Sequence, residues 1–283
     1  ATKSLEQALA ALADTVVAGL GSGSLPRHPA LDLVRRQPPR LAAGASLPQP
    51  GVGPDRFVEA ITAAVLALDH SYLAVQGPPG TGKTHVGSHV IARLVARGWK
   101  VGVVGQSHAV VENLLTTAVA KAGVSPDRVA KDVKHQNPLP WQARSAKDVA
   151  ALLGSPGGAL VGGTAWTMTG ASVPPGSLDL LVIDEAGQFS LANTLAVAQA
   201  SSRLLLLGDP QQLPQVSQGK HPEPVDESAL GWISAGHATL PPELGYFLAD
   251  SWRMNSELCV AVSELSYEGR LRSAPAAELR HLD

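Results

Sequence analysis

The chain has 283 residues, enough for one large α/β domain or two small ones, and 45% apolar content can fill a core of that size. A net charge of −2 with only 16% charged residues excludes a global basic footprint, so any contact with nucleic acid has to be local, and the low hydrophobicity and high charge of a disordered chain are absent. No run approaches the roughly 18 to 20 apolar residues of a membrane-spanning helix, and the single cysteine, Cys259, leaves no internal disulfide and no Cys-based zinc cluster.

Nothing at the start resembles a secretory signal, so a reducing, cytoplasmic setting with no membrane attachment is expected; Ala at position 1 suggests a trimmed piece of a longer chain. Residues 4 to 20 carry apolar positions at helical spacing up to Gly21, which predicts an amphipathic helix. From 21 to 54 the composition is that of a Pro/Gly-rich arm broken by a short LDLV segment, so 1–54 are expected to form a helix plus an arm that packs on the main domain and does no chemistry. A helix over 56–68, an apolar strand at 72–76, a Gly-rich turn, a helix to about residue 97 and a strand at 101–105 then make one βαβ unit. Further strands are predicted at 159–163, 180–183 and 203–207, with helices at 109–122 and 190–200 between them. These strands are apolar without alternation, as suits strands buried on both faces of a parallel sheet, and the α/β alternation places ligands beyond their carboxyl ends.

Three segments at those ends carry chemistry. Gly77, Pro78, Pro79, Gly80, Thr81, Gly82, Lys83 and Thr84 fit the pattern G-x-x-x-x-G-K-[ST] between a predicted strand and a predicted helix. Glycines let the backbone wrap a polyphosphate, Lys83 neutralises its oxygens and the Thr84 hydroxyl can ligate Mg²⁺. Asp184 and Glu185 close the apolar run Leu180–Ile183, where a P-loop nucleotidase needs a metal-holding carboxylate; Glu185, one residue on, can accept a proton from water. The segment GDPQQLPQ, 208–215, follows another apolar strand and could aim an amide at a γ-phosphate, although by itself it reads equally well as a polar turn.

In this order, GPPGTGKT, DEAGQ, GDPQQLPQV and SWRM resemble motifs I to IV of superfamily 1 helicases, in the branch containing the nonsense-mediated-decay RNA helicase and senataxin. The segment 105–115, GQSHAVVENLL, is similar to that branch's motif Ia, and 161–166, VGGTAW, to the strand and threonine of its motif Ib/Ic. More narrowly, the chain resembles bacterial proteins in which a RecB-like nuclease module precedes such a helicase, the nuclease itself lying outside this chain. The resemblance, over about residues 55 to 275, implies an α/β, RecA-like P-loop NTPase fold with a mainly parallel sheet flanked by helices. It implies a first RecA-like domain over 55–249, with an insertion at about 121–158, and the truncated start of a second over 250–283.

The same resemblance implies ATP and Mg²⁺, with Lys83 and Thr84 at phosphate and metal, Asp184 at the metal, Glu185 as the base and Gln212 sensing the γ-phosphate. Arg253 would reach across the cleft to the transition state, and Trp252 would stack on adenine where the family usually has a tyrosine, a core position being the other reading of that tryptophan. Ser107, His108 and Thr164 would contact the backbone of single-stranded DNA or RNA. The implied activity is nucleic-acid-stimulated ATP hydrolysis by a motor translocating on single strands within a larger helicase-nuclease, with little or no unwinding by this piece alone. A regulatory nucleotide switch without turnover is the rival, against which Glu185 counts. A generic P-loop kinase or AAA-type ATPase is disfavoured by GDPQQLPQV and SWRM. The sequence departs from the family pattern in three ways: the stretch 57–61 lacks the glutamine that reads adenine, Gly187 stands where serine is usual, and motifs V and VI are not reached.

Weaker signals have bland readings. Residues 121–148 hold six basic residues (Lys121, Arg128, Lys131, Lys134, Arg144, Lys147) against Asp127, Asp132 and Asp148, a local +3 that leaves −5 elsewhere. A solvated loop outweighs a strand contact there, and Trp141 is expected to anchor the loop rather than stack on a base. His85 and His89 have metal-ligand spacing, but Val86 stands where H-E-x-x-H needs Glu. Cys259 and Trp232 are expected in the core.

Overall fold

The computed structural model describes residues 2–135, 137–213, 221–278 and 280. Helix α1, Lys3–Ser22, ends on Gly23 in the left-handed region, and α2, Pro29–Val34, starts at a proline whose fixed φ suits a first helical position. The P-loop unit follows as α3 (Arg56–Ala67), β1 (Tyr72–Gln76), α4 (Lys83–Val95) and β2 (Lys100–Val104). Next come α5 (His108–Ala120), β3 (Val129–Lys131), α6 (Ala146–Gly154), β4 (Ala159–Gly163), α7 (Ala165–Met168) and β5 (Leu180–Asp184). The chain continues through α8 (Leu191–Val197), β6 (Leu204–Gly208), α9 (Ala229–Ser234) and β7 (Gly245–Phe247). Last are β8 (Asp250–Ser251), α10 (Ser256–Ser266) and β9 (Arg272–Ser273).

Seven strands form one sheet in the order β3-β4-β2-β5-β6-β1-β7, and every pairing is parallel. The unbroken apolar runs are explained by cover on both faces. Tyr72, Ala74, Leu181, Ile183, Leu204 and Leu206 pack with α1, α2, α8 and α9, whereas Leu73, Val75, Leu180, Val182, Leu205 and Leu207 pack with α3, α4 and α5. The α/β fold with a parallel sheet flanked by helices is therefore as expected. The two edge strands were not predicted: Val-Ala-Lys and Gly-Tyr-Phe are too short to announce themselves.

The N-terminal segment packs as part of the core. Leu5, Leu12, Ala30, Leu31 and Leu33 are buried in the first cluster, and buried Asp32 accepts hydrogen bonds from Arg40 and from Ser71 Oγ (2.7 Å) at the amino end of β1. Trp232 is half-buried at the rim of the first cluster, against this arm: its Nε1 donates to the Val34 carbonyl (3.1 Å), and the Arg36 guanidinium lies 3.7 Å from its ring centroid. Trp141 and Cys259 are buried as expected.

The insertion is neither a free basic patch nor simply a solvated loop. Lys131 has no exposed surface, Arg128 donates to the Gly158 and Pro156 carbonyls (both 2.7 Å), and Lys134 pairs with Asp132 (2.8 Å). The +3 sum therefore includes side chains, Arg128 and Lys131 above all, that the fold turns onto its own backbone and carboxylates, while Lys121 and Lys147 stay exposed.

Candidate functional site

Strand order decides which motifs meet. The strands β5, β6 and β1 are adjacent, so the P-loop, the Asp184–Glu185 pair and the 208–213 turn leave three neighbouring strand ends on one edge. Parallel neighbours lie about 4.8 Å apart, which keeps all three within reach of one triphosphate.

The P-loop is tied to β6 by the Gly77 amide, which donates to the Gly208 carbonyl (2.8 Å), and closed by Thr81 Oγ1 donating to the Pro78 carbonyl (2.7 Å). Lys83 Nζ donates to the Gly77 carbonyl (2.7 Å), curling the ammonium over the loop. Gly80, at φ 82°, has the segment 251–253 directly on it: a Cβ there would collide with Arg253 Cβ, and the Trp252 amide donates to the Gly80 carbonyl (2.8 Å). Only glycine combines that backbone angle with that approach.

A cavity of about 580 Å³ is lined by Pro78, Pro79, Gly80, Gly82, Lys83, Thr84, Glu185, Gln212, Trp252, Arg253 and Arg280. Lys83, Glu185, Gln212 and Arg253, predicted from four separate segments, thus face one space. Trp252 is 50% exposed, so the core reading of it fails. It also lines a second cavity of about 940 Å³ that shares Gly82 with the first and is walled by Phe57, Val86, Leu248, Ala274 and Pro275. The first space is polar enough to suit phosphate groups, and the second has the lining to take a flat apolar group.

Asp184 lies beneath the cavity with 4% of its surface exposed. Burial, and then the charge of Glu185, push its carboxyl up to about 7 against the pull of the Glu185 amide and Lys83. A buried carboxylate short of positive charge suits a divalent cation. Among the described residues no group of three or more His, Cys, Asp or Glu could hold a metal. One carboxylate and one hydroxyl, Asp184 and Thr84, fit Mg²⁺, which takes few protein ligands and completes its shell with water and phosphate. Glu185 adopts φ 54°, a region costly for a side-chain-bearing residue, with its amide donating to Asp184 Oδ1 (3.0 Å).

The other half of the carboxyl edge, β3-β4-β2, carries the candidate strand contacts. Ser107 caps α5, its Oγ accepting from the Val110 amide (3.2 Å); His108 is exposed beside it, and Thr164 follows the neighbouring strand β4. His85 and His89 contact each other, ring centroids 4.1 Å apart.

A family model described as an AAA domain matches residues 59–229, more than half of the chain. The chain belongs to that family. Two relatives carry more specific names. The DNA replication ATP-dependent helicase/nuclease DNA2 of Bos taurus is 30% identical over 215 residues, covering 72% of this chain and 20% of that protein. Its Homo sapiens counterpart is 29% identical over 217 residues, with the same coverage of 72% and 20%. The chain spans about a fifth of the length of these two relatives. A solved complex of arterivirus nonstructural protein 10 (helicase) with DNA shares 20% identity at a TM-score of 0.45, covering 72% of this chain and 41% of that one.

Several residues of this AAA domain's site were not foreseen. Asp209, 1% exposed, is held by Gln76 Nε2 (3.3 Å) and by the Tyr267 hydroxyl, which donates to Oδ2 (2.7 Å). Each looks ordinary in sequence, and only the sheet brings them together. Asp250 is gripped by Arg56 and by Arg272 Nε (2.7 Å) in the second cavity's wall. Gly187, where serine is usual, has a steric role: a Cβ there would strike the Asp209 carbonyl, so glycine allows the two strand-end turns to touch. Of GDPQQLPQV, Pro214, Gln215 and Val216 lie outside the described residues.

Proposed function

We propose that this chain is the ATP-hydrolysing motor domain of a superfamily 1 helicase, acting on single-stranded DNA or RNA and joined in its parent polypeptide to a second RecA-like domain and a RecB-like nuclease module. The observation that carries the reading is the convergence of Lys83, Thr84, Glu185, Gln212 and Arg253 on one cavity beside a glycine-built phosphate loop. The names of the two relatives support the larger assembly.

In this reading Lys83 leaves the Gly77 carbonyl for the β- and γ-phosphate oxygens, and Arg253 supplies charge to the transferring phosphoryl group from the opposite wall. Mg²⁺ held by Thr84 and Asp184 neutralises phosphate oxygens when bound. Glu185, strained at the strand end, orients water and takes its proton, while Gln212 reports whether the γ-phosphate is present. Phe57, Trp252 and Leu248 offer the adenine an apolar slot without an amide to read it. Ser107, His108 and Thr164 bind phosphodiesters on the other half of the edge.

The test is ATP turnover by the parent polypeptide with and without single-stranded DNA or RNA. Stimulation of about tenfold or more is expected, and none by either polymer sinks the motor reading. Glu185→Gln should still bind ATP while turnover falls by about 100-fold or more. Unchanged hydrolysis would remove Glu185 from the base role and favour a plain nucleotide switch.

A further inference from the structure

Lys131 is the one fully buried lysine among the described residues, and the nucleotide site does not use it. It ends the edge strand β3, paired opposite Gly162 of β4, where its ammonium faces the first turn of α5. All three of its donors are engaged: with Glu112 Oε1 (2.8 Å), with His108 Nδ1 (2.9 Å) and with the Asp132 carbonyl (3.3 Å). Glu112 is completed by His135, whose Nε2 meets its other oxygen (2.9 Å). His108 and Glu112 stand four residues apart on one face of α5, so a single ammonium spans both.

This geometry fixes a proton. An ammonium has donors only, so His108 Nδ1 has to accept and cannot carry hydrogen. The hydrogen of the neutral ring then resides on Nε2. No described residue bonds that nitrogen, and the imidazole is exposed on the carboxyl edge beside Ser107. We propose that Lys131 is a positioning residue that holds His108 as the Nε2–H tautomer, presenting a neutral, oriented donor to a phosphodiester oxygen of a bound single strand. The inference rests on the strand-edge reading given above.

The surroundings favour the neutral ring. Burial and then the Lys131 charge lower the His108 pKa, with Lys134 adding to this, while Glu112 and Asp132 oppose them and do not prevail. Lys134 is itself paired with Asp132, and His135 with Glu112, so none of these groups takes the place of Lys131 at Nδ1. A neutral donor orients a strand by hydrogen bonding and releases no counterion, so it contributes nothing to the salt dependence of binding.

Two measurements test this. Nitrogen-15 spectra of the imidazoles in the unaltered protein should show the neutral His108 ring with hydrogen on Nε2 and a bare Nδ1 at about pH 8. A neutral ring with its proton on Nδ1 overturns the proposal without any variant. The second measurement is binding of a fluorescein-labelled oligothymidine strand at about pH 6 and about pH 8. In the wild type the affinity ratio between the two pH values should match that of His108→Gln, because the neutral ring adds no titration of its own. In Lys131→Met the freed Nδ1 can take a proton, so binding should become at least about threefold tighter at the lower pH, with a salt slope steeper by about 0.7. His108→Gln in the Lys131→Met background should abolish both changes. A Lys131→Met profile parallel to the wild type's overturns the proposal; if that variant does not fold, the wild-type spectrum decides. Failure of the wild type to bind the strand at either pH overturns the strand-edge reading and this inference with it, whereas binding together with the wrong tautomer overturns the inference alone.

Discussion

A carboxylate with 4% of its surface in water needs a counter-charge or a proton, and among the described residues Asp184 has neither a paired arginine nor a paired lysine. Its folded pKa, raised to about 7 by burial and by Glu185, lies above the ordinary 3.8. The folded state therefore holds more protons than the unfolded state between those values. Its stabilising share is fully present below the unfolded value and lost as pH rises through the folded one. In metal-free protein, Asp184→Asn should raise stability at about pH 8 by on the order of 4 kcal/mol, with the gain vanishing near pH 4. Denaturant midpoints in a chelating buffer decide it, and a variant no more stable than wild type at the higher pH would remove the burial penalty from the account. Asp184, like Lys83 and Glu185, was legible in the sequence because it sits at a fixed distance from an apolar run. Lys131 was not, since its partner Glu112 lies 19 residues earlier on another element and no local pattern links them.

At the scale of elements, the site exists because β6 lies between β5 and β1, an order that sequence periodicity does not encode. The central strands were legible as continuous apolar runs; their neighbours were not, because every buried strand looks alike from one side. The same blindness hid the contact between β1, β6 and α10. Gln76 at the end of β1 donates to Asp209 after β6, and Gln76 Oε1 accepts from the Leu240 amide (2.6 Å). Tyr267 after α10 donates to the other Asp209 oxygen, and burial, then that bond, pushes the phenol upward. The turn bearing Gln212 thus hangs on an aspartate held from both sides. Tyr267→Phe leaves the ring packed against Phe247 but strips a buried carboxylate of a donor, which costs about 1 to 3 kcal/mol. ATP turnover should fall severalfold while affinity for ATP changes by less than about threefold. An equal loss of affinity and turnover would show the hydroxyl acting on binding instead of on the placement of Gln212.

Across the whole molecule the two ends of the sheet do different work. The carboxyl edge carries the phosphate loop, the carboxylate pair and the candidate strand contacts, and the amino end is bound by the arm. Tyr72 Oη donates to the Gln37 carbonyl (2.8 Å), the Arg40 amide donates to Ser71 Oγ (3.0 Å), and Leu33 has no exposed surface in the cluster beneath β1 and α9. A Pro/Gly-rich composition correctly announced irregular backbone but could not show that its few apolar residues close one face of the sheet. Leu33→Ala should destabilise the protein by about 2 to 5 kcal/mol, because a buried leucine leaves a cavity its neighbours only partly fill. The P-loop sits at the far end of β1 and is held by contacts to Gly208 and to the segment 251–253, none of which involves the arm. Below its own unfolding midpoint the variant should therefore bind ATP within about twofold of wild type. Denaturant melts paired with nucleotide titrations separate the outcomes. A loss of ATP affinity in the still-folded variant would mean that the amino end communicates with the phosphate loop through β1, and that arm and site are one cooperative unit.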